Sequence, residues 1–208
     1  MTWNIPNILT ILRLLAAPGI ALAFILLPHP FSDWVALVLF VGASITDWLD
    51  GYLARKWDQT SRFGAMLDPI ADKAMVVTAL FVLAALFGLN LWIVLPATAI
   101  LFREVFVSGL REFLGAQAGL LQVTKLAKWK TTTQMVAIAV LLAQGLFAHY
   151  FGMGSFGMDG PTVDAILSGE SDDPTGLRLI WQGTIVTSWG GTILLWLAAA
   201  LTLSLIHI

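Results

Sequence analysis

Long apolar runs are the feature of this sequence that most restricts its fold. Six of them approach the roughly 20 residues that an α-helix needs to span a bilayer, and 58% of the 208 residues are hydrophobic. Only 12% are charged, against about 25% in a typical soluble domain. Because lipid cannot hydrogen-bond an open sheet edge, the spans should be helices. We expect an all-α integral membrane protein, a single domain over residues 1–208, with six transmembrane helices near 8–27, 34–54, 64–88, 91–111, 131–151 and 179–203.

Basic residues divide unevenly between the two membrane faces that these spans define. An even number of spans places both termini on one side, and all but one of the basic residues then lie on or near a single face. They are Arg13, Arg55, Lys56, Arg62, Lys73, Arg103, Arg111, Lys125, Lys128 and Lys130. The exception is Arg178, at the end of an acidic loop, 152–178. The positive-inside rule therefore predicts a multi-pass protein of the cell inner (cytoplasmic) membrane, with 152–178 as an exposed extracytoplasmic loop.

Four aspartates lie close together at the predicted cytoplasmic ends of the second and third spans: Asp47, Asp50, Asp68 and Asp72. An aspartate at the centre of a membrane helix costs roughly 2.5–3.5 kcal/mol on insertion scales. Asp47 and Asp50 share one helical face, and Asp68 and Asp72 share a face of the next helix. The short segment 55–63 would make these helices antiparallel neighbours, so that the two acidic faces converge.

Four converging carboxylates repel one another unless cations lie between them. Oxygen ligands without His or Cys indicate Mg²⁺ or Mn²⁺, and two such ions would clamp a phosphoryl group during transfer. The structural alternative is a set of helix caps and interfacial carboxylates. Asp68, which precedes Pro69, could be a cap, but capping does not explain Asp47 and Asp50 at the end of an apolar run.

Small residues accompany the aspartates. Gly51, Ala54 and Gly64 could let a bulky ligand approach the acidic face, or they could serve tight helix packing. Arg55 could hold a phosphate or only orient its helix.

Eight of these residues form one spaced pattern, D-x2-D-G-x2-A-R-x8-G-x3-D-x3-D. They are Asp47, Asp50, Gly51, Ala54, Arg55, Gly64, Asp68 and Asp72. The pattern resembles the signature of the CDP-alcohol phosphatidyltransferases, membrane enzymes with six transmembrane helices. The resemblance implies that an alcohol attacks the β-phosphorus of a CDP-linked lipid and that CMP leaves.

The same resemblance implies roles for the individual residues. Asp47, Asp50 and Asp68 would be metal ligands, and Asp72 would be both a ligand and the general base. Gly51, Ala54, Arg55 and Gly64 would line the CDP site. It also implies a homodimer.

Three further stretches, 4–13, 103–112 and 128–134, are similar to those members of the family that join CDP-diacylglycerol to sn-glycerol 3-phosphate. A phosphorylated acceptor needs its own cationic pocket, for which the candidates are Arg103, Arg111, Lys128 and Lys130. Arg103 could instead pair with Glu104, and the lysines at 125, 128 and 130 could bind anionic lipid headgroups. Inositol phosphate and phosphatidylglycerol are the closest rival acceptors.

Asn7, Thr10 and Arg13 form a polar stripe on the first helix that could face the site or only the interface. A divalent-cation transporter using the aspartates is the competing function, although a site at the membrane edge argues against it. No nucleic-acid partner is expected.

Overall fold

The computed structural model describes residues 5–56, 62–115 and 125–204. Within the helices it leaves out the side chains of 5–6, 48, 50–56, 62, 65, 111 and 125–128. The described residues form helices and no strand, which confirms the all-α prediction. In chain order the helices are α1 (Ile5–Leu26), α2 (Phe31–Lys56), α3 (Arg62–Leu86), α4 (Leu91–Leu114), α5 (Lys125–Gly154), α6 (Gly160–Ser168), α7 (Leu177–Ile185) and α8 (Gly191–Ser204), with a π-helical stretch, Val186–Gly190, joining the last two.

Five stretches of the described chain are long and apolar enough to cross a membrane: Asn7–Leu26, Met66–Leu86, Leu91–Leu114, Trp129–Gly154 and Leu177–Ser204. Each coincides with one of the predicted spans. Helix α2, with 26 residues, is also long enough at 1.5 Å per residue, but it is not among the five. The sixth transmembrane helix therefore stays a prediction.

The first helix lies between the two helices that carry the aspartates. Helix α1 packs against both α2 and α3, whereas α2 and α3 contact each other only slightly. The predicted convergence of the two acidic faces is confirmed, since Asp47 and Asp72 contact the same Arg13 nitrogen. In the described residues, however, α2 and α3 pack mostly against α1 rather than against each other. The central core is apolar and includes Ile20, Phe40, Leu83 and Leu142.

The predicted loop 152–178 contains a short helix, α6, that packs on α7. The Arg178 guanidinium donates through Nε and Nη2 to the Ile166 carbonyl, at 3.1 and 2.9 Å. The Asp173 carboxylate accepts from the backbone amides of Leu177 at 2.7 Å and Arg178 at 2.9 Å. The amide of Arg178 lowers the pKa of Asp173 more than any other group does. These bonds give the segment a defined structure that its Gly, Ser and Asp content did not predict.

A buried carboxylate lies at the start of α2. The Asp33 side chain is only 2% exposed, and its Oδ2 is 2.5 Å from Nδ1 of His29. On the other side it rests against Gly145 of α5, where a Cβ would overlap the carboxylate. Both residues line a cavity of about 360 Å³ that also contacts Gln144 and His149. The Asp33 carboxylate is thus buried at the end of the bundle opposite the four aspartates.

Candidate active site

Helices α2, α3, α4 and α5 line one cavity of about 310 Å³ at the end of the bundle that carries the aspartates. Its walls are formed by Asp47, Pro69, Asp72, Lys73, Val76, Val77, Arg103, Glu104, Lys130, Thr131, Gln134 and Met135. It brings together two carboxylates predicted to bind metal and two cations predicted to bind the acceptor phosphate. These residues are far apart in the sequence, so their convergence comes from the packing of the helices.

Arg13 of α1 connects the carboxylates of α2 and α3. Its Nη1 lies 2.7 Å from Oδ1 of Asp47 and 2.6 Å from Oδ1 of Asp72. The Arg13 side chain is 2% exposed, whereas Asp47 and Asp72 are each 43% exposed. Because one guanidinium nitrogen contacts both acids, a single positive charge pairs with a carboxylate of each helix. This charge reduces the repulsion between the two carboxylates.

Thr10 makes a similar connection one helical turn earlier in α1. Its hydroxyl donates to Oδ1 of Asp68 at 2.6 Å. Asp68 lies in the second turn of α3, not before its start, so the alternative of a helix cap was wrong for this residue. The carboxylate instead faces α1.

The other members of the signature are described less completely. Asp50, Gly51, Ala54 and Arg55 lie in α2, but their side chains are outside the part of the chain that the structure describes. Gly64 is buried in α3 and is not among the residues that line the cavity. The roles of these five residues stay predictions.

The carboxylates of the site determine whether it can hold a divalent cation. Among the described side chains, no group of three His, Cys, Asp or Glu residues is close enough to hold a metal ion; the predicted ligand Asp50 is not among them. Asp47 and Asp72 each direct Oδ1 at Nη1 of Arg13, and both also keep exposed carboxylate surface. Carboxylate oxygens of this kind suit Mg²⁺ or Mn²⁺, so the residues present fit such an ion.

The opposite wall of the cavity is cationic. Arg103 of α4 is 13% exposed, and its Nη1 is 3.4 Å from Oε1 of Glu104. The Lys130 ammonium of α5 bonds to the same oxygen. The alternative pairing of Arg103 with Glu104 therefore exists, but one carboxylate is shared between two cations. In the described residues the Arg103 Nε is buried without a hydrogen-bond partner, and Lys73 adds a further positive charge to the walls.

Two predicted acceptor residues cannot be placed in this wall. Arg111 belongs to α4 and Lys128 to α5, but their side chains lie outside the described part of the chain. Their roles in binding the acceptor phosphate stay predictions.

Sequence reasoning underestimated three parts of the site. Arg13 and Thr10 were left undecided between the site and the interface, and the structure places both against the aspartates. Glu104 was considered only as a partner that would occupy Arg103. Gln134 was given no role, although it lines the cavity. A useful signal was the polar stripe in an apolar helix, because polar side chains at membrane depth usually face the protein interior.

Comparison with known sequences identifies the family. The CDP-alcohol phosphatidyltransferase family matches residues 3–160. A CDP-diacylglycerol–glycerol-3-phosphate 3-phosphatidyltransferase of Cereibacter sphaeroides is 56% identical over 202 residues, 97% of this chain and 91% of that protein. Proteins of the same name from Haemophilus influenzae and Escherichia coli K12 are 47% and 40% identical, over 68% and 75% of this chain and 77% and 86% of their own lengths. The signature, the acidic and cationic walls and these similarities together show that this chain belongs to the CDP-alcohol phosphatidyltransferase family.

Proposed function

We propose that the protein transfers the phosphatidyl group of CDP-diacylglycerol to sn-glycerol 3-phosphate, giving phosphatidylglycerophosphate and CMP. The observation that carries this proposal is that Asp47, Asp72, Arg103 and Lys130 all line one cavity. Acids on one side suit the metal-bound pyrophosphate, and cations on the other suit an acceptor that carries its own phosphate. The names of the relatives from three bacteria support the same acceptor.

The reaction makes one bond and breaks one. The acceptor hydroxyl oxygen bonds to the β-phosphorus, the bond from that phosphorus to the CMP oxygen breaks, and CMP departs with the electron pair. Asp72 accepts the hydroxyl proton on a carboxylate oxygen. Two divalent ions, Mg²⁺ or Mn²⁺, held by Asp47, Asp50, Asp68 and Asp72, would supply charge neutralisation of the pyrophosphate and of the leaving CMP.

Arg13 keeps the two carboxylates in place. Its contacts with Asp47 and Asp72 fix both oxygens relative to α1, so the base and a metal ligand are oriented before substrate binds. Thr10 does the same for Asp68. Preorganisation of this kind lowers the cost of aligning charged groups in the transition state.

The acceptor phosphate binds between α4 and α5. Arg103 offers a guanidinium with a buried Nε that lacks a partner among the described residues, and Lys130 offers an ammonium. Arg111 and Lys128 complete this group. The shared Glu104 holds the two cavity cations close together without neutralising both.

The membrane setting follows from the charge pattern. Helix α2 is the sixth transmembrane helix, and the cavity opens to the cytoplasm at the inner membrane, where CDP-diacylglycerol can keep its acyl chains in the bilayer. The active form is a homodimer. Gly51, Ala54, Arg55 and Gly64 line the CDP site.

A panel of acceptors tests the proposal. Purified protein in detergent, with CDP-diacylglycerol and Mg²⁺ or Mn²⁺, is given glycerol 3-phosphate, inositol phosphate, phosphatidylglycerol or serine. CMP release and the lipid product are measured. We expect phosphatidylglycerophosphate with the first acceptor and little CMP with the others. Preferred use of another acceptor would contradict the proposed substrate. No CMP with any acceptor, together with metal uptake into proteoliposomes, would favour a transporter.

A further inference from the structure

Gln134 is a buried polar residue in the cavity wall that the proposed reaction does not yet use. Its exposed fraction is 3%, and it lines the cavity together with Lys130 and Asp72. Its side-chain oxygen is buried and has no hydrogen-bond partner among the described residues. Buried amides in folded proteins almost always have a partner, so this side chain is in position to bind something that enters the cavity.

The position of Gln134 indicates which part of a ligand it would meet. It follows Lys130 by four residues, so the two share one face of α5, a helical turn apart. Lys130 belongs to the cationic group that receives the acceptor phosphate, and Asp72 on α3 receives the proton of the attacking hydroxyl. A ligand bound between these two groups places its middle carbon in the space that Gln134 borders.

The chemistry of an amide restricts the ligand group further. Gln134 presents a carbonyl acceptor and an NH₂ donor and carries no charge. The atom that lacks a partner among the described residues is the oxygen, which accepts a hydrogen bond from a hydroxyl but not from an ionised phosphate oxygen. A hydroxyl group both donates and accepts, and it is satisfied by either end of the amide. In an acceptor that carries phosphate at one end and the attacking hydroxyl at the other, the remaining hydroxyl is the one on the middle carbon.

We propose that Gln134 is a specificity-determining residue that hydrogen-bonds the middle hydroxyl of the acceptor, a short polyol phosphate. This inference rests on the proposed function, because it assumes that glycerol 3-phosphate occupies the cavity. Binding sites that pair a buried polar group with a substrate hydroxyl reject analogues lacking that hydroxyl, since the protein group then stays unpaired.

The test compares two acceptors that differ by one group. The compound 3-hydroxypropyl phosphate keeps the phosphate and the terminal hydroxyl of glycerol 3-phosphate but lacks the middle hydroxyl. CMP release gives kcat/KM for each acceptor, with wild-type protein and with Gln134→Met, which keeps the length of the side chain without a hydrogen-bonding amide. We expect wild type to prefer glycerol 3-phosphate by about tenfold or more. In Gln134→Met the preference falls to within about twofold, mainly through loss with glycerol 3-phosphate.

A matched control is available on the same helix. Gln144 lies ten residues further along α5 and lines the other cavity, beside Asp33. Gln144→Met should leave the preference between the two acceptors as in wild type. If Gln134→Met does not yield folded protein, Gln134→Leu replaces it, and the preference of wild type is a test that needs no variant.

The outcomes separate this inference from the proposed function. Equal use of the two acceptors by wild type, or a preference that Gln134→Met leaves intact, would overturn the role of Gln134 while leaving the transferase reaction standing. Absence of CMP release from wild type with glycerol 3-phosphate would overturn both.

Discussion

Helix α2 carries Asp33 near its start and Asp47 towards its end, and these two aspartates have opposite surroundings. Asp33 is enclosed, with its side chain 2% exposed, a bond to His29 and Gly145 pressed against it. Asp47, roughly four helical turns away, is 43% exposed, contacts Arg13 and lines a cavity with side chains from three other helices. One carboxylate is built into the fold, while the other keeps surface available to a ligand.

The exposure of a carboxylate and the charge of its neighbours therefore distinguish an aspartate that stabilises the fold from one that is available to a ligand. The depth of the aspartate in the membrane does not. Both aspartates belong to the same helix, so the cost of placing an acid in that helix does not distinguish them. Exposed oxygen surface and several charged neighbours facing one cavity do distinguish them.

Asp47→Asn tests the part of α2 that lines the candidate active site. The substitution removes the charge of a proposed metal ligand and one partner of Arg13, so the binding of metal and of CDP-diacylglycerol should weaken together. We expect CMP release at moderate Mg²⁺ to fall by about 100-fold and to recover partly as Mg²⁺ is raised. Titrating the rate against Mg²⁺ measures both effects. A variant with the activity and metal dependence of wild type would show that Asp47 is not a ligand.

Gly145→Ala tests the packing around the buried Asp33. A Cβ at this position overlaps the Asp33 carboxylate, and overpacking of this kind costs roughly 1–3 kcal/mol. The melting temperature should fall, while the KM of the folded fraction for either substrate stays the same. Gly152→Ala is the matched control on α5, because a Cβ there meets nothing within 4 Å.

A double-mutant cycle sharpens that result. Asp33→Ala removes the carboxylate that the new methyl group overlaps, so the two substitutions together should destabilise the protein less than the sum of their separate effects. Strict additivity of the two changes in melting temperature would show that the contact between Asp33 and Gly145 does not limit the packing of α2 against α5.

Arg103→Ala tests the cationic wall. The KM for glycerol 3-phosphate should rise about tenfold, since a charge-assisted bond to phosphate is lost, and the KM for CDP-diacylglycerol should change much less. Arg178→Ala, at the other end of the bundle, removes an arginine whose partner is the Ile166 carbonyl. It should leave both KM values unchanged. Equal changes in both KM values for Arg103→Ala would argue against an acceptor site there.

Asp173→Asn should have the smallest effect, on stability alone. The folded protein lowers the pKa of Asp173, chiefly through the Arg178 amide, so the ionised carboxylate stabilises the start of α7 above the ordinary aspartate pKa of about 3.9. That contribution is lost as the pH falls through the lowered pKa of the folded state. Melting curves at pH 7 and near pH 3 should therefore show a difference from wild type that narrows on acidification. A constant difference would contradict the assignment.

The sequence predicted most of the membrane fold because hydrophobicity and length determine helical spans. Helices α1, α3, α4 and α5 overlap their predicted positions closely. Helix α6 was missed because its nine residues are too short for a periodic signal, and its bond to the Arg178 side chain joins residues twelve positions apart. The placement of α1 between α2 and α3 was missed because the short connection between α2 and α3 suggested that they pack directly together. The sequence of one helix does not show which other helix it packs against.

The candidate site was predicted in its residue types and only partly in its contacts. The aspartates and Arg103 were recognisable because charged residues in an apolar run are costly. The bridge from Arg13 to Asp47 and Asp72, and the sharing of Glu104 between Arg103 and Lys130, depend on which helix faces meet. Gln134 carried no signal of its own, since a neutral amide near a membrane interface is common.

The most direct test of the central claim compares Asp72→Asn with Asp33→Asn. Both variants replace an aspartate by its neutral isostere, one partly exposed beside Arg13 and one buried against Gly145. CMP release from CDP-diacylglycerol and glycerol 3-phosphate is measured on protein shown to be folded. We expect Asp72→Asn to lose at least about 100-fold in rate while still binding CDP-diacylglycerol, and Asp33→Asn to melt at a lower temperature with a rate within about twofold of wild type. Wild-type turnover in Asp72→Asn, or loss of turnover in a well-folded Asp33→Asn, would contradict the account.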